Sequence, residues 1–290
     1  MLVGPTTRRR RLGTDLRRLR ESKSLKLEDV AVVLGVAPST LSRIETGKMP
    51  TRTSYLMVML DLYGVADPQV RSGLIDLARE GQRRGWWAAV ADLLPPGYGM
   101  YLDLEAEASQ VRAFQALLVH GLVRTPHYAS AVIAAERPEL TSRQAGLLGS
   151  VEALRAQALG AAGAARLHLI LDESVLLRSV GSAPVMKRQL EHLLAVARQP
   201  NVTIQVLRLS APSRPVLTGT FGILSFADPD GAEVLCADGL RGQVILEERA
   251  ADVRAMAGAF DILSDTACSP DESGDLLADL AARSSAGRAG

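Results

Sequence analysis

The chain has 290 residues, of which 47% are hydrophobic, 22% charged and 4% aromatic, enough for about two ordinary domains with sizeable cores. Its formal charge is only +1, yet residues 1–84 hold 16 Lys and Arg against 9 Asp and Glu, while residues 85–290 hold 17 against 23. A front of net +7 and a back of net −6 place any nucleic-acid or membrane partner at the basic end. No stretch reaches the ~18 consecutive apolar residues of a membrane span, so no membrane partner is expected. The basic run after Met1 lacks the apolar segment of a signal peptide. Cys236 and Cys268 form no framework, and His120, His127, His168 and His192 are too scattered for a metal site. This usage suits a reducing cytoplasm.

Residues 1–11, ending in Arg8 to Arg11, read as a flexible basic arm that tracks phosphates or enters a minor groove. From Leu12, the spacing of Leu12, Leu16 and Leu19 predicts a helix with Arg17, Arg18 and Arg20 on its outer side. Ser22 to Ser24 break it. Leu27, Val30, Ala31 and Leu34 mark a second helix, stopped by Gly35 in the left-handed region. Pro38 suits the first position of a third helix, pinned by Leu41 and Ile44 and ended by Gly47. A fourth helix spans about Thr53 to Tyr63, with Leu56, Leu60 and Tyr63 inward. A fifth runs from about Pro68 to Arg84 and buries Val70, Leu74, Leu77 and Ala78. The expected fold is therefore multi-domain, opening with an all-α five-helix domain over residues 12–84.

Gly85-Trp86-Trp87 and Pro95-Pro96-Gly97 place a junction within residues 80–100. Beyond it, helical patterns cover 101–117, 126–136 and 141–160. Strand patterns follow at Leu167 to Leu171, Val202 to Leu207, Phe221 to Phe226, Glu233 to Ala237 and Val244 to Leu246. Pro184 to Arg198 reads as a helix between the first two strands, which suggests one crossover unit with antiparallel additions. Helices over Glu248 to Ser264 and from Ser269-Pro270-Asp271-Glu272, a capping box, complete an α+β domain over 85–283. Residues 284–290 are expected to be a disordered tail.

Trp86 and Trp87 are large and amphipathic, and offer a partner or ligand surface or an anchor for the second domain. Glu105 and Glu107 do not share a helical face, Asp172-Glu173 suits a strand-to-helix cap, and His168 suits a hydrogen-bonded core histidine. Thr218-Gly219-Thr220 suits a hairpin connection. There is no GxSxG, HExxH or P-loop, so no catalytic residue, metal or cofactor is assigned and an enzyme is not expected.

Residues 27–47 are the most specific feature. Two short helices meet through Gly35-Val36-Ala37, with the small Ala31 where they cross. The run Leu27-Glu28-Asp29-Val30-Ala31, Leu34-Gly35-Val36-Ala37-Pro38-Ser39-Thr40-Leu41-Ser42-Arg43-Ile44-Glu45-Thr46-Gly47-Lys48 resembles the lambda-repressor-like, Xre-type helix-turn-helix. The resemblance covers residues 12–64. It implies a recognition helix over about 38–46 in the major groove of double-stranded operator DNA. Carried over by position, Ser39, Thr40, Ser42 and Arg43 read bases, and Lys26, Thr46, Lys48 and Arg52 hold phosphates. Glu45 is expected to pair internally with an arginine of the first helix. Relatives usually carry Ser or Thr where this chain has Ala37, a capping loss of about 1 kcal/mol.

The remainder resembles the uncharacterised C-terminal domain that follows such motifs in antitoxin-like regulators of GC-rich filamentous bacteria. It does so through Gly85-Trp86-Trp87, Asp103 to Ala108, Leu117 to Ala129 and Asn201 to Leu207. The chain departs from that pattern at His120, Arg124 and Leu207-Arg208, where proline, glutamine and a following proline are usual. Together the two resemblances imply a dimeric, cytoplasmic transcriptional regulator whose second domain serves dimerisation and signal or partner input. An antitoxin-like protein that sequesters a small partner protein, with DNA binding as autoregulation, is the alternative.

Overall fold

Helix α1 runs from Pro5 to Ser22, so Pro5 to Arg11 are helical and not the flexible arm expected from their charge. Arginine is a good helix former, and Arg8, Arg9 and Arg10 are half-buried. The computed structural model describes residues 5–81, 87–160, 164–212, 219–227, 233–238, 242 and 244–286. The chain divides into two units, Met1–Ala89 with Leu102–Glu107, and Val90–Tyr101 with Ala108–Gly290.

The first unit contains α1, α2 (Leu27–Leu34), α3 (Pro38–Glu45), α4 (Thr53–Leu62) and α5 (Pro68–Gly81). Leu12, Leu16, Val30, Ala31, Leu41, Ile44, Leu56, Met59, Leu60 and Tyr63 form its core, as the periodicity predicts for all of them except Met59. Two side chains depart from that pattern. Arg20, expected on the outer face, is 8% exposed because Glu45 compensates its charge inside. Val70, expected inside, is 47% exposed in the first turn of α5, where Leu74 and Ala78 are the buried residues.

Gly13 lets α1 lie directly on the end of α3. A Cβ there would stand 2.4 Å from the Glu45 carbonyl oxygen and 2.6 Å from that of Ile44. Both neighbours are backbone and cannot swing aside. Gly13→Ala is expected to destabilise this unit by about 1–3 kcal/mol, as overpacking does. The midpoint of chemical unfolding checks it.

The second unit carries a six-stranded sheet in the order β3-β2-β1-β4-β5-β6. Its strands are β1 (Gln110–Gln115), β2 (Arg166–Asp172), β3 (Val202–Leu207), β4 (Phe221–Ser225), β5 (Val234–Asp238) and β6 (Val244–Glu247). β1, β2 and β3 are parallel, and β4 to β6 continue antiparallel from β1. The expected crossover between β2 and β3 is present, through α9 (Glu173–Leu177) and α10 (Ala183–Val196). A second crossover joins β1 to β2 through α7 (Pro126–Glu136) and α8 (Ser142–Leu159).

The central strand β1 lies inside what the pattern predicts as helix 101–117, which instead ends with α6 (Tyr98–Glu107). Gln110, Arg112 and Gln115 interrupt its apolar residues, and pairing on both edges overrides the local preference. The hairpin expected at Thr218-Gly219-Thr220 does not form. Thr218 lies outside the described residues, and β2 and β1 stand between β3 and β4. Helix α11 (Ala250–Thr266) crosses one face, where Val253, Phe260 and Leu263 pack on Phe114, Ile170, Phe221 and Ile223.

Asp172 caps α9 by accepting from Ser174 N–H at 2.9 Å, and Ser269 forms the expected capping box with Glu272. His168 Nε2 lies 2.7 Å from Gln205 Oε1 on the adjacent strand, the environment of a core histidine. Helix α12 (Pro270–Ala286) includes residues 284–286, which the sequence suggests are disordered; residues 287–290 lie outside the described residues.

Candidate nucleic-acid interface

Helix α2 ends at Gly35 with φ 64°, a conformation that strains any residue with a Cβ. The Gly35 and Val36 amides donate to the Val32 and Ala31 carbonyls at 3.0 Å each, closing the last turn. The turn delivers the chain to Pro38 at the start of α3. Leu41 and Ile44, both fully buried, fix which side of α3 faces the core. Ser39, Ser42 and Arg43 are left exposed, with Thr40 half-buried beside them.

A buried ion pair locks α3 at its other end. Arg20 Nε and Nη2 donate to Glu45 Oε1 and Oε2 at 2.7 and 2.9 Å, and Arg20 Nη1 donates to the Leu25 carbonyl at 2.9 Å. The partner expected for Glu45 on the first helix is thus Arg20. Its hydrogen bonds to Glu45 raise the guanidinium above the ordinary arginine range. Beside it, burial first and then the Glu45 charge push the Tyr63 hydroxyl up to about 12, so it stays protonated.

The N-termini of α2, α3 and α4 begin after Lys26, Ala37 and Arg52, none of which supplies a side-chain cap. Helix N-termini favour anions, although α3 opens on Pro38, which has no N–H, and its Thr40 amide donates to the Ala37 carbonyl at 2.9 Å. The starts of α3 and α4 border one groove, lined by Val36, Ala37, Thr40, Thr51, Arg52 and Tyr55. The Arg52 guanidinium lies 5.7 Å from the centre of the Tyr55 ring. Periodicity alone does not reveal this arrangement; the Arg-x-x-Tyr spacing is its only trace in the sequence.

The structure gathers the expected residues unequally. Lys26, Lys48 and Arg52 are exposed. The Thr46 hydroxyl donates to the Ser42 carbonyl at 2.8 Å, so a phosphate would have to compete with that bond. Arg9, expected on a free arm, donates from Nε to the Gly81 carbonyl, and burial lowers its guanidinium while the Asp103 charge opposes the shift. Arg8 and Arg10 also have partners, and only Arg11 of the run is exposed. Trp86 lies outside the described residues. Trp87 is half-buried, and its indole N–H donates to Asp103 Oδ1 at 2.9 Å.

Among the described residues, no helix is long and apolar enough to cross a membrane. No curated protein and no solved structure matches the chain. Residues 11–72 match the family described as Helix-turn-helix domain, so the first unit carries a helix-turn-helix DNA-binding domain. Residues 98–279, more than half of the chain, match the family described as Domain of unknown function (DUF5753), and the chain belongs to that family.

Proposed function

We propose that this protein is a sequence-specific transcriptional regulator that inserts α3 into the major groove of operator DNA. The observation that carries this function is the exposed hydroxyl-and-arginine face of α3, on a helix held rigidly by Leu41, Ile44 and the Arg20–Glu45 pair. A helix that reads bases must present polar donors while its other side fixes its register, and both conditions are met.

Ser39, Thr40, Ser42 and Arg43 contact base edges, with Arg43 suited to a bidentate contact to guanine. Lys26, Lys48 and Arg52, together with the starts of α2 and α4, hold phosphates; Thr46 joins them only by giving up its bond to Ser42. The protein binds as a homodimer on two half-sites about 34–36 Å apart, and its second unit serves dimerisation and signal input in the cytoplasm.

Arg43→Ala is expected to relax base preference by about 1–3 kcal/mol at one position of each half-site. Lys48→Ala is expected to weaken binding on all sequences alike and to lower the salt slope by about 1. Binding to a randomised operator library at several salt concentrations separates the two effects. The same base preferences in the Arg43 variant and the parent protein would overturn the assignment.

A further inference from the structure

The second unit holds a cavity of about 80 Å³ on the sheet face opposite α11. Gly222 and Cys236 line its floor, and the strand register places a further small residue beside them. Ala113 of β1 pairs with Gly222 of β4, and Gly222 with Cys236 of β5, so three small residues lie in a row across the sheet. A Cβ at Gly222 would meet only the Arg112 carbonyl oxygen at 3.6 Å and Ala113 Cβ at 3.9 Å. Neither packing nor backbone conformation demands glycine there, and its absent side chain is what keeps the space open. A glycine inside a strand often marks close approach of another group.

The walls are polar and ordered. Arg155 lies across Gly121, whose Cβ would stand 2.2 Å from Arg155 Nη1, and over the rings of Tyr98 and Tyr101 at 5.7 and 5.5 Å. Its Nη1 donates to Glu152 Oε1 at 2.9 Å and to the Tyr98 hydroxyl at 2.7 Å, which in turn donates to Glu152 at 2.9 Å. His120 Nδ1 accepts from the Leu122 amide at 3.3 Å, so its Nε2–H faces the Tyr101 hydroxyl at 3.2 Å. Arg155 and Glu152 thus neutralise each other.

Arg124 is different. Its Nε donates to the Val119 carbonyl at 2.6 Å, and its nearest carboxylate oxygen, on Glu152, stands 3.7 Å from Nη1, beyond hydrogen-bond reach. Its side chain is 16% exposed, and among the described residues no hydrogen bond engages Nη1 or Nη2. The cavity wall therefore holds a planar pair of donors that no hydrogen bond engages, with the Glu152 carboxylate at 3.7 Å and the charges of Asp238 and Glu136 acting on the same guanidinium. That fork matches a carboxylate in two parallel bonds. The place is also apt, because Gln115 at the carboxyl end of parallel β1 lines the cavity where the sheet changes from parallel to antiparallel.

We propose that this cavity binds a small organic carboxylate, gripped by Arg124 and seated over Gly222 and Cys236. A water molecule needs about 10–15 Å³ of such space, so the volume suits a ligand of roughly six heavy atoms. Asp238 at the rim adds a carboxylate that would favour a ligand also carrying an ammonium group. This site gives the proposed signal input a chemical class; it rests on that function only for its effect on DNA, and ligand binding is measured without DNA.

Calorimetric titration of the full chain with pyruvate, with alanine and with inorganic phosphate tests it. Saturable binding of pyruvate or alanine is expected, the preferred one showing whether Asp238 takes part. Arg124→Gln and Gly222→Val, which fills the floor without touching a charge, should each weaken binding about 10- to 100-fold. Arg143→Gln, an exposed position on α8, should leave binding unchanged. No saturable heat from either carboxylate, binding of phosphate alone, or undiminished binding in folded Gly222→Val overturns the proposal.

Discussion

Replacing Glu45 with alanine is expected to remove about 3–5 kcal/mol from the stability of the DNA-binding unit, most of what so small a unit possesses. The side chains of Arg20 and Glu45 are 10% and 3% exposed, and both carboxylate oxygens accept from the guanidinium. Removing the carboxylate leaves a buried cation with only the Leu25 carbonyl and, at 3.5 Å, the exposed Glu21 carboxylate as compensation. Arg20→Met combined with Glu45→Leu should cost much less, because a buried pair is close to break-even against apolar side chains of similar size. Urea unfolding followed by circular dichroism measures both. A Glu45→Ala protein as stable as the parent would show that the pair contributes nothing. The loss should reach function too, since Glu45 ends α3 and its bond to α1 fixes the angle at which Ser39 to Arg43 are presented.

The second unit should lose a specific increment of stability in acid. Burial works to raise the Glu152 carboxyl, but the charges of Arg155 and Arg124 and the Tyr98 hydrogen bond outweigh it and hold the group at about 2, against 4.5 when unfolded. A carboxylate whose folded value is depressed stabilises the fold above the unfolded value. That stabilisation fades as pH falls from about 4.5 through about 2. Its size is about 3 kcal/mol. Other carboxylates titrate in the same range, so the informative quantity is a difference. Glu152→Gln should be less stable than the parent near neutral pH, and the gap should close as the pH approaches 2. A gap that stays constant across that range would falsify the assignment of this carboxylate.

Much of the first unit is legible in the sequence because its determinants are local. Leucine spacing sets the buried face of each helix, Gly35 sets the turn, and Pro38 sets the start of α3. The partner of Glu45 could be assigned to the first helix because a carboxylate on a phosphate-facing surface would be repelled. Which arginine it is could not be read, since Arg17, Arg18 and Arg20 differ in surroundings and not in local pattern. Burial of Arg20 depends on a residue 25 positions away.

Charge alone misjudged the N-terminal run for the same reason. Arg8 to Arg11 look like an arm until α1 packs, and Arg9 is then drawn to Gly81 and Asp103. The excess of the first unit also changes: with Asp103, Glu105 and Glu107 of α6 included, 16 basic residues face 12 acidic ones, a net +4 and not +7. In the second unit, the apolar runs of β2 to β6 are legible in the sequence, but β1 is not. Its apolar residues are interleaved with Gln110, Arg112 and Gln115, and only pairing with β2 and β4 makes it the centre of the sheet.

The helix-turn-helix, its exposed polar face, the α+β class of the second unit and the β2–β3 crossover are all encoded locally, because periodicity, caps and turn residues act over a few positions. Where the charges are paired and where space remains depends instead on packing between distant segments. Arg20 meets Glu45, Arg155 meets Glu152, and Arg124 is left facing a cavity floored by Gly222. Ion pairing and cavities depend on which distant side chains are brought together, and no local pattern encodes that.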